Sequence, residues 1–167
     1  MFNIFGKGLL INLVESFVDN VVRDTVYPKT GSILYCDLAF GNAEHSGVYI
    51  GNNKIVHLDG SGDIEIVTPK RFLARLGGLN SAISIYISCD GNSSVGDDAI
   101  AQRAKQMVGT TRSYNIILDN CHQFTSGCIT GNFQNSDNFL WMIKQTAKNE
   151  INANSWRVWE TTNGEYV

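Results

Sequence analysis

The stretch EHSGVYIGNNKIVHL, residues 44–58, reads as two short strands around a turn, with one histidine on each strand. Valine, isoleucine and tyrosine fill the flanks and Gly51-Asn52-Asn53 interrupts them, the composition of a β-hairpin. The length of the turn settles what this hairpin can do. A two-residue Asn52-Asn53 loop would set His57 across from Val48, so that His45 and His57 would face opposite sides of the sheet. A three-residue Gly51-Asn52-Asn53 loop sets His57 across from Gly47 instead. His45 then lies on the same face one diagonal step away, roughly 7–8 Å between backbones. Gly and Asn tolerate the positive φ that the longer loop needs, so the three-residue version is expected, and with it a histidine pair.

Around the hairpin, further short segments rich in β-branched and aromatic residues alternate with Gly and Asn: 32–40, 63–67 and 82–88. They predict a meandering antiparallel sheet. Helical periodicity is expected over 97–108, where Ile100, Ala104, Met107 and Val108 share a face and Gly109 supplies the stop. A short helix over 71–76, one starting near Asn120 and one from Ser136 to about Lys148 complete the set, and 156–158 adds an edge strand or covers the core. Before Pro28 the apolar residues come in pairs four apart, from Leu9/Leu10 to Val21/Val22, which predicts an amphipathic helix. It either docks on the sheet or rests through residues 9–22 on a lipid surface or a partner. Its polar face lacks the Lys and Arg enrichment of lipid-surface helices, which favours docking. The fold class is therefore α+β, an antiparallel β-sheet packed with helices, with an N-terminal helix in 1–27 and the main domain in 28–167.

Length and composition set the outer limits. At 167 residues the chain fits one domain, 43% hydrophobic and 17% charged. A formal charge of −3 with 13 scattered Lys and Arg speaks against nucleic-acid binding, which normally shows a basic stripe. No run of 18 apolar residues suggests a membrane span. The four cysteines, Cys36, Cys89, Cys121 and Cys128, form no C-x-x-C pair and follow no evident secretion signal. They read as reduced thiols in a cytoplasmic protein.

One of these cysteines stands in a reactive context. In the segment 114–124, Asp119 and Asn120 are both good N-cap residues, which places Cys121 in the first turn of a helix. There the helix dipole and free N–H groups favour thiolate and can hold a developing oxyanion. A nucleophilic cysteine needs a base, and the base needs a third group to orient it. His45 and His57 can fill those roles. Asn120, His122 and Tyr49 are candidates for the oxyanion site and cleft, with His122 directed away from the sulfur. Cys128, two turns on, reads as packing. Asp59, Asp63 and Glu65 read as a solvated strand end rather than a carboxylate orienter. His45, His57 and Cys121 are plausible metal-ligand types, but no fourth ligand lies near them, so neither a metal nor a cofactor is expected.

Three short runs also resemble a known family. His45-Ser-Gly-Val-Tyr-Ile-Gly, Val56-His57-Leu and Asn120-Cys121-x-x-Phe124 are similar to the signatures of the lecithin retinol acyltransferase-like proteins. That family is a circularly permuted branch of the papain-like NlpC/P60 superfamily. The likeness spans about residues 30–130 and includes the order His, His, Cys. It implies a permuted NlpC/P60 fold, a Cys121–His45–His57 triad and an acyl-thioester intermediate. It also implies a phospholipase- or acyltransferase-like activity on lipid esters. There are departures: the family's usual Glu-His after the cysteine is His122-Gln123 here, and its Pro-Gly-Asp strand opening is Thr30-Gly31-Ser32. Two alternatives remain at this point, a cysteine peptidase or amidase on peptide or cell-wall substrates, and a catalytically silent binding module.

Overall fold

The computed structural model describes residues 25–37, 44–74, 84–113, 120–162 and 165–166. The expected helix over residues 9–22 lies outside them. Four consecutive strands form an antiparallel meander: β1 (Ile33–Asp37), β2 (Glu44–Gly51), β3 (Lys54–Leu58) and β4 (Ile64–Val67). On the other side of β1 lies β5 (Tyr86–Asp90), which also pairs with β6 (Ser93–Ser94) and with β7 (Ser155–Val158). The seven strands run β4-β3-β2-β1-β5-β6, with β7 on β5. A separate small pair, β8 (Thr161–Thr162) and β9 (Glu165–Tyr166), follows. With α1 (Pro69–Ala74), α2 (Asp98–Met107), α3 (Cys121–Thr130) and α4 (Leu140–Ile151), the fold is α+β, as the sequence predicts.

The β2–β3 turn reaches the expected register by a different route. Asn52 and Asn53 both take left-handed φ, 52° and 53°, so the turn is a two-residue one closed by Gly51 and Lys54. The register then slips between Tyr49 and Gly51, after which Tyr49 faces Ile55 and Val48 faces Val56. The extra residue is thus a β-bulge in the strand rather than a third loop residue. Continuing the register places His57 across from Gly47, so the two histidines share a face.

Period-two alternation splits the sheet between two cores. Ile33, Val48, Ile50, Val56, Leu58 and Ile64 face Ile100 and Ala104 of α2, Phe124 and Cys128 of α3, and Ile143 and Ala147 of α4. On the opposite face Leu34, Cys36, Ile55, Val67 and Ile87 pack with Phe72 of α1 and with Trp159. Helix α3 runs through the middle of the first core and is buried from Cys121 to Ile129. It closes at Gly131, whose φ of 80° gives the left-handed cap that a side chain resists. Helix α4 begins four residues later than its apolar pattern suggests. The Asp137 carboxylate accepts the hydroxyls of Ser126 and Thr146, each at 2.6 Å, and holds that stretch as a strap between α3 and α4. All four cysteines are free and buried.

Candidate active site

Both predicted histidines lie on the α1 face of the sheet. The Nε2 of His45 and the Nδ1 of His57 are 2.5 Å apart, and the rings meet nearly at right angles, 82°, with centroids 4.8 Å apart. Phe72 lies against both rings, at 4.9 Å from His45 and 5.7 Å from His57. His57 is fully buried and His45 nearly so. Gly47 belongs to the same packing, because a Cβ there would come within 2.8 Å of the Val56 carbonyl oxygen and 3.2 Å of the Phe72 ring. Only glycine lets β2, β3 and Phe72 close over the histidines.

Glu65 also joins this face, contrary to the solvated reading of the strand end. Antiparallel pairing sets Glu65 of β4 directly across from His57 of β3. Its Oε1 is 3.4 Å from His57 Nε2, and its Oε2 is 3.3 Å from an Arg71 guanidinium nitrogen. Asp59, by contrast, accepts the Ser61 amide at 2.6 Å and shapes the β3–β4 loop.

Cys121 is the first residue of α3. The cap is Asn120, whose side-chain oxygen accepts the amides of His122 and Gln123 at 2.9 and 3.2 Å, while its carbonyl accepts that of Phe124. The cap therefore occupies most of the first-turn amides expected to serve an oxyanion. The Cys121 amide is not taken by the cap and lies beside its own sulfur. Its sulfur sits 4.0 Å from the Glu44 carbonyl oxygen, at the peptide that leads into His45, and 3.9 Å from His122 Nδ1.

Ser46, adjacent to His45 but facing the other side of the sheet, ties this turn to β2. Its hydroxyl lies 3.1 Å from the Cys121 carbonyl, 2.9 Å from His122 Nδ1 and 3.0 Å from the Thr125 hydroxyl. His122 thus points inward beside the sulfur, not away from it. Sequence reading missed Ser46 and Glu65 as members of the site. Strand alternation for the first, and the register of the short Asp59–Asp63 loop for the second, were the signals available.

Burial governs the protonation states. It pushes the Cys121 thiol up, against the opposing effect of Ser46 and the local hydrogen bonds, so the helix-start argument for a lowered thiol is outweighed. Burial also lowers His122 to about 4, which makes it a neutral ring at neutral pH. The Cys128 thiol is pushed up by burial in the core, consistent with packing. Tyr49 lies four residues along β2 from His45, packs edge-on against Trp159 and accepts the Asn53 amide at 3.3 Å. That places it toward the hairpin turn rather than beside the sulfur. Among the described residues, no three His, Cys, Asp or Glu side chains are grouped as a metal site requires.

Residues 27–134, which include both histidines and Cys121, match a family model described as lecithin retinol acyltransferase. The chain belongs to that family. No curated protein sequence matches it. Membership in the lecithin retinol acyltransferase family points to an enzyme of acyltransferase or hydrolase type. No helix among the described residues is long and apolar enough to cross a membrane.

Proposed function

We propose that this protein transfers or hydrolyses acyl groups through an acyl-Cys121 intermediate, with His45 as the base and His57 as the ring that orients it. The observation that carries the reading is the 2.5 Å contact between the buried rings of His45 and His57, with the Cys121 sulfur 4.0 Å from the carbonyl of Glu44, the residue before His45. Because burial favours the neutral thiol, the sulfur needs a base at the moment of attack rather than a standing ion pair. His45 Nε2 meets His57, and Nδ1, the nitrogen nearer its own backbone, is proposed to take the thiol proton. The thiolate adds to an ester carbonyl carbon, and the Cys121 amide donates to the oxyanion. The imidazolium returns its proton to the departing alkoxide, leaving a thioester. Water, an alcohol or an amine then attacks the thioester, with His45 again as base, and frees the thiol.

A lipid ester is the proposed acyl donor. The family is described by an acyltransferase named for lecithin, a phospholipid, and the site's surroundings suit a lipid–water boundary. Asn120 donates from Nδ2 to the Asn138 carbonyl at 3.0 Å, and the next residues include the exposed rings of Phe139 and Trp141, 58% and 64% accessible. Trp141, with an apolar ring and a polar N–H, is the kind of side chain that favours such boundaries. Peripheral contact through residues 9–22 and a cytoplasmic location belong to the same proposal.

The test uses phosphatidylcholine vesicles, following released fatty acid and the mass of peptides carrying a trapped acyl group. Wild type should release fatty acid and carry the acyl group on Cys121, and Cys121→Ala should do neither. An adduct on Cys128, or undiminished release by Cys121→Ala, would refute the assignment.

A further inference from the structure

From the contacts across β2, β3 and β4 we infer that Glu65 is a positioning residue that sets the tautomers of both histidines, so that the base presents a lone pair to Cys121. The inference rests on the proposed roles of Cys121 and His45. It begins from three strands placing His45, His57 and Glu65 in a row, linked at 2.5 and 3.4 Å, with Arg71 closing the row at 3.3 Å. A neutral imidazole carries one proton, and two neutral rings in contact can share theirs in two self-consistent ways.

In the first arrangement, His57 carries its proton on Nε2 and accepts from His45 Nε2–H with Nδ1. His45 Nδ1 then holds a lone pair and can take the thiol proton. In the second, His57 Nδ1–H donates to His45 Nε2, and the His45 proton sits on Nδ1, where it blocks the transfer. The His45–His57 contact by itself does not select the first. A carboxylate does, because it only accepts, so His57 Nε2 must carry hydrogen to meet Glu65. His57 is fully buried beneath Phe72, which restricts water from replacing that acceptor.

The row also serves the charged state. When the thiol proton reaches His45 Nδ1, a cation forms in a buried pocket, where it is costly unless opposed. His57 transmits the field of Glu65 through a hydrogen bond already made. At 3.4 Å the His57–Glu65 contact is long, and shortening it on protonation would stabilise the imidazolium more than the resting ring. Arg71 is exposed, so it steadies the carboxylate without neutralising it. Alternation explains why the row is continuous: each of the three positions points to the α1 face, and the bulge in β2 brings His45 into line.

Glu65→Gln separates this role from packing, since it keeps size and hydrogen bonding but allows either tautomer. The chain has three histidines, so long-range nitrogen–proton NMR of the imidazoles can be assigned by single substitutions. In wild type, His45 and His57 should both show protonated Nε2 and bare Nδ1. In Glu65→Gln, His57 should show Nδ1–H in a large fraction of molecules. Vesicle turnover should fall about 10- to 100-fold in kcat with KM little changed, a part of what a general base supplies. Glu65→Asp should keep the wild-type tautomer pattern. If Glu65→Gln leaves both tautomers and turnover as in wild type while Cys121→Ala is inactive, the role of Glu65 is overturned and the acyl-thioester reading stands. If Cys121→Ala remains active, both fall.

Discussion

His122 offers the most direct measurement of how this site is held. Burial lowers its pKa to about 4 from an ordinary value of 6.5, so the folded protein keeps the ring neutral where the unfolded chain would charge it. The stabilising effect is whole above pH 6.5 and is lost as the pH falls toward 4, because between those values the unfolded state binds a proton that the folded state refuses. Each pH unit in that window is worth about 1.4 kcal/mol, so the full loss is about 3 kcal/mol. Urea unfolding of wild type and His122→Gln at pH 7.5, 6.5, 5.5 and 4.5 isolates this effect, since the other titrating groups are common to both. At pH 7.5 the variant should be the weaker by the cost of a rebuilt Ser46 junction, about 1–3 kcal/mol. The gap should shrink steadily below 6.5, and the variant should overtake wild type or approach it by pH 4.5. Parallel curves would show that His122 is protonated in the fold as readily as outside it, and the account of a buried neutral ring beside the sulfur would be wrong.

Two further substitutions test the geometry. Gly47→Ala should cost about 1–3 kcal/mol in chemical denaturation, because the new methyl meets the Val56 carbonyl at 2.8 Å and that oxygen belongs to the sheet. Turnover should fall further than stability explains, since β2 and β3 must part where the histidines meet; full activity would show that the pair tolerates spreading. Asn120→Ala removes the cap of α3 and should cost about 1–2 kcal/mol. Hydrogen exchange at the His122 and Gln123 amides should accelerate, and unchanged protection there would mean that another group takes them.

Much of the site was legible as local pattern. Residues 44–58 announce a hairpin, Asn120 announces a helix start, and both depend on neighbours within a few positions. The same-face placement of His45 and His57 follows from strand periodicity once the register is right. The device behind that register was not legible, because a third loop residue and a one-residue bulge shift the strand equally. The structure has the bulge, with left-handed Asn52 and Asn53 and a closing Gly51–Lys54 pair.

The sequence by itself determined which side chains could do chemistry and in what order they occur: two histidines on adjoining strands, then a cysteine behind a capping asparagine. Their protonation states and partners were decided only by the tertiary structure. Local reasoning gave Cys121 a helix dipole that lowers its pKa, whereas burial by residues distant in the chain raises it. It sent His122 outward, whereas Ser46, 76 positions away, draws it in. It left Glu65 in solvent, whereas the β3–β4 register sets it against His57. Desolvation and hydrogen bonding depend on what surrounds a group in space, and only the packed sheet and helices bring those surroundings together.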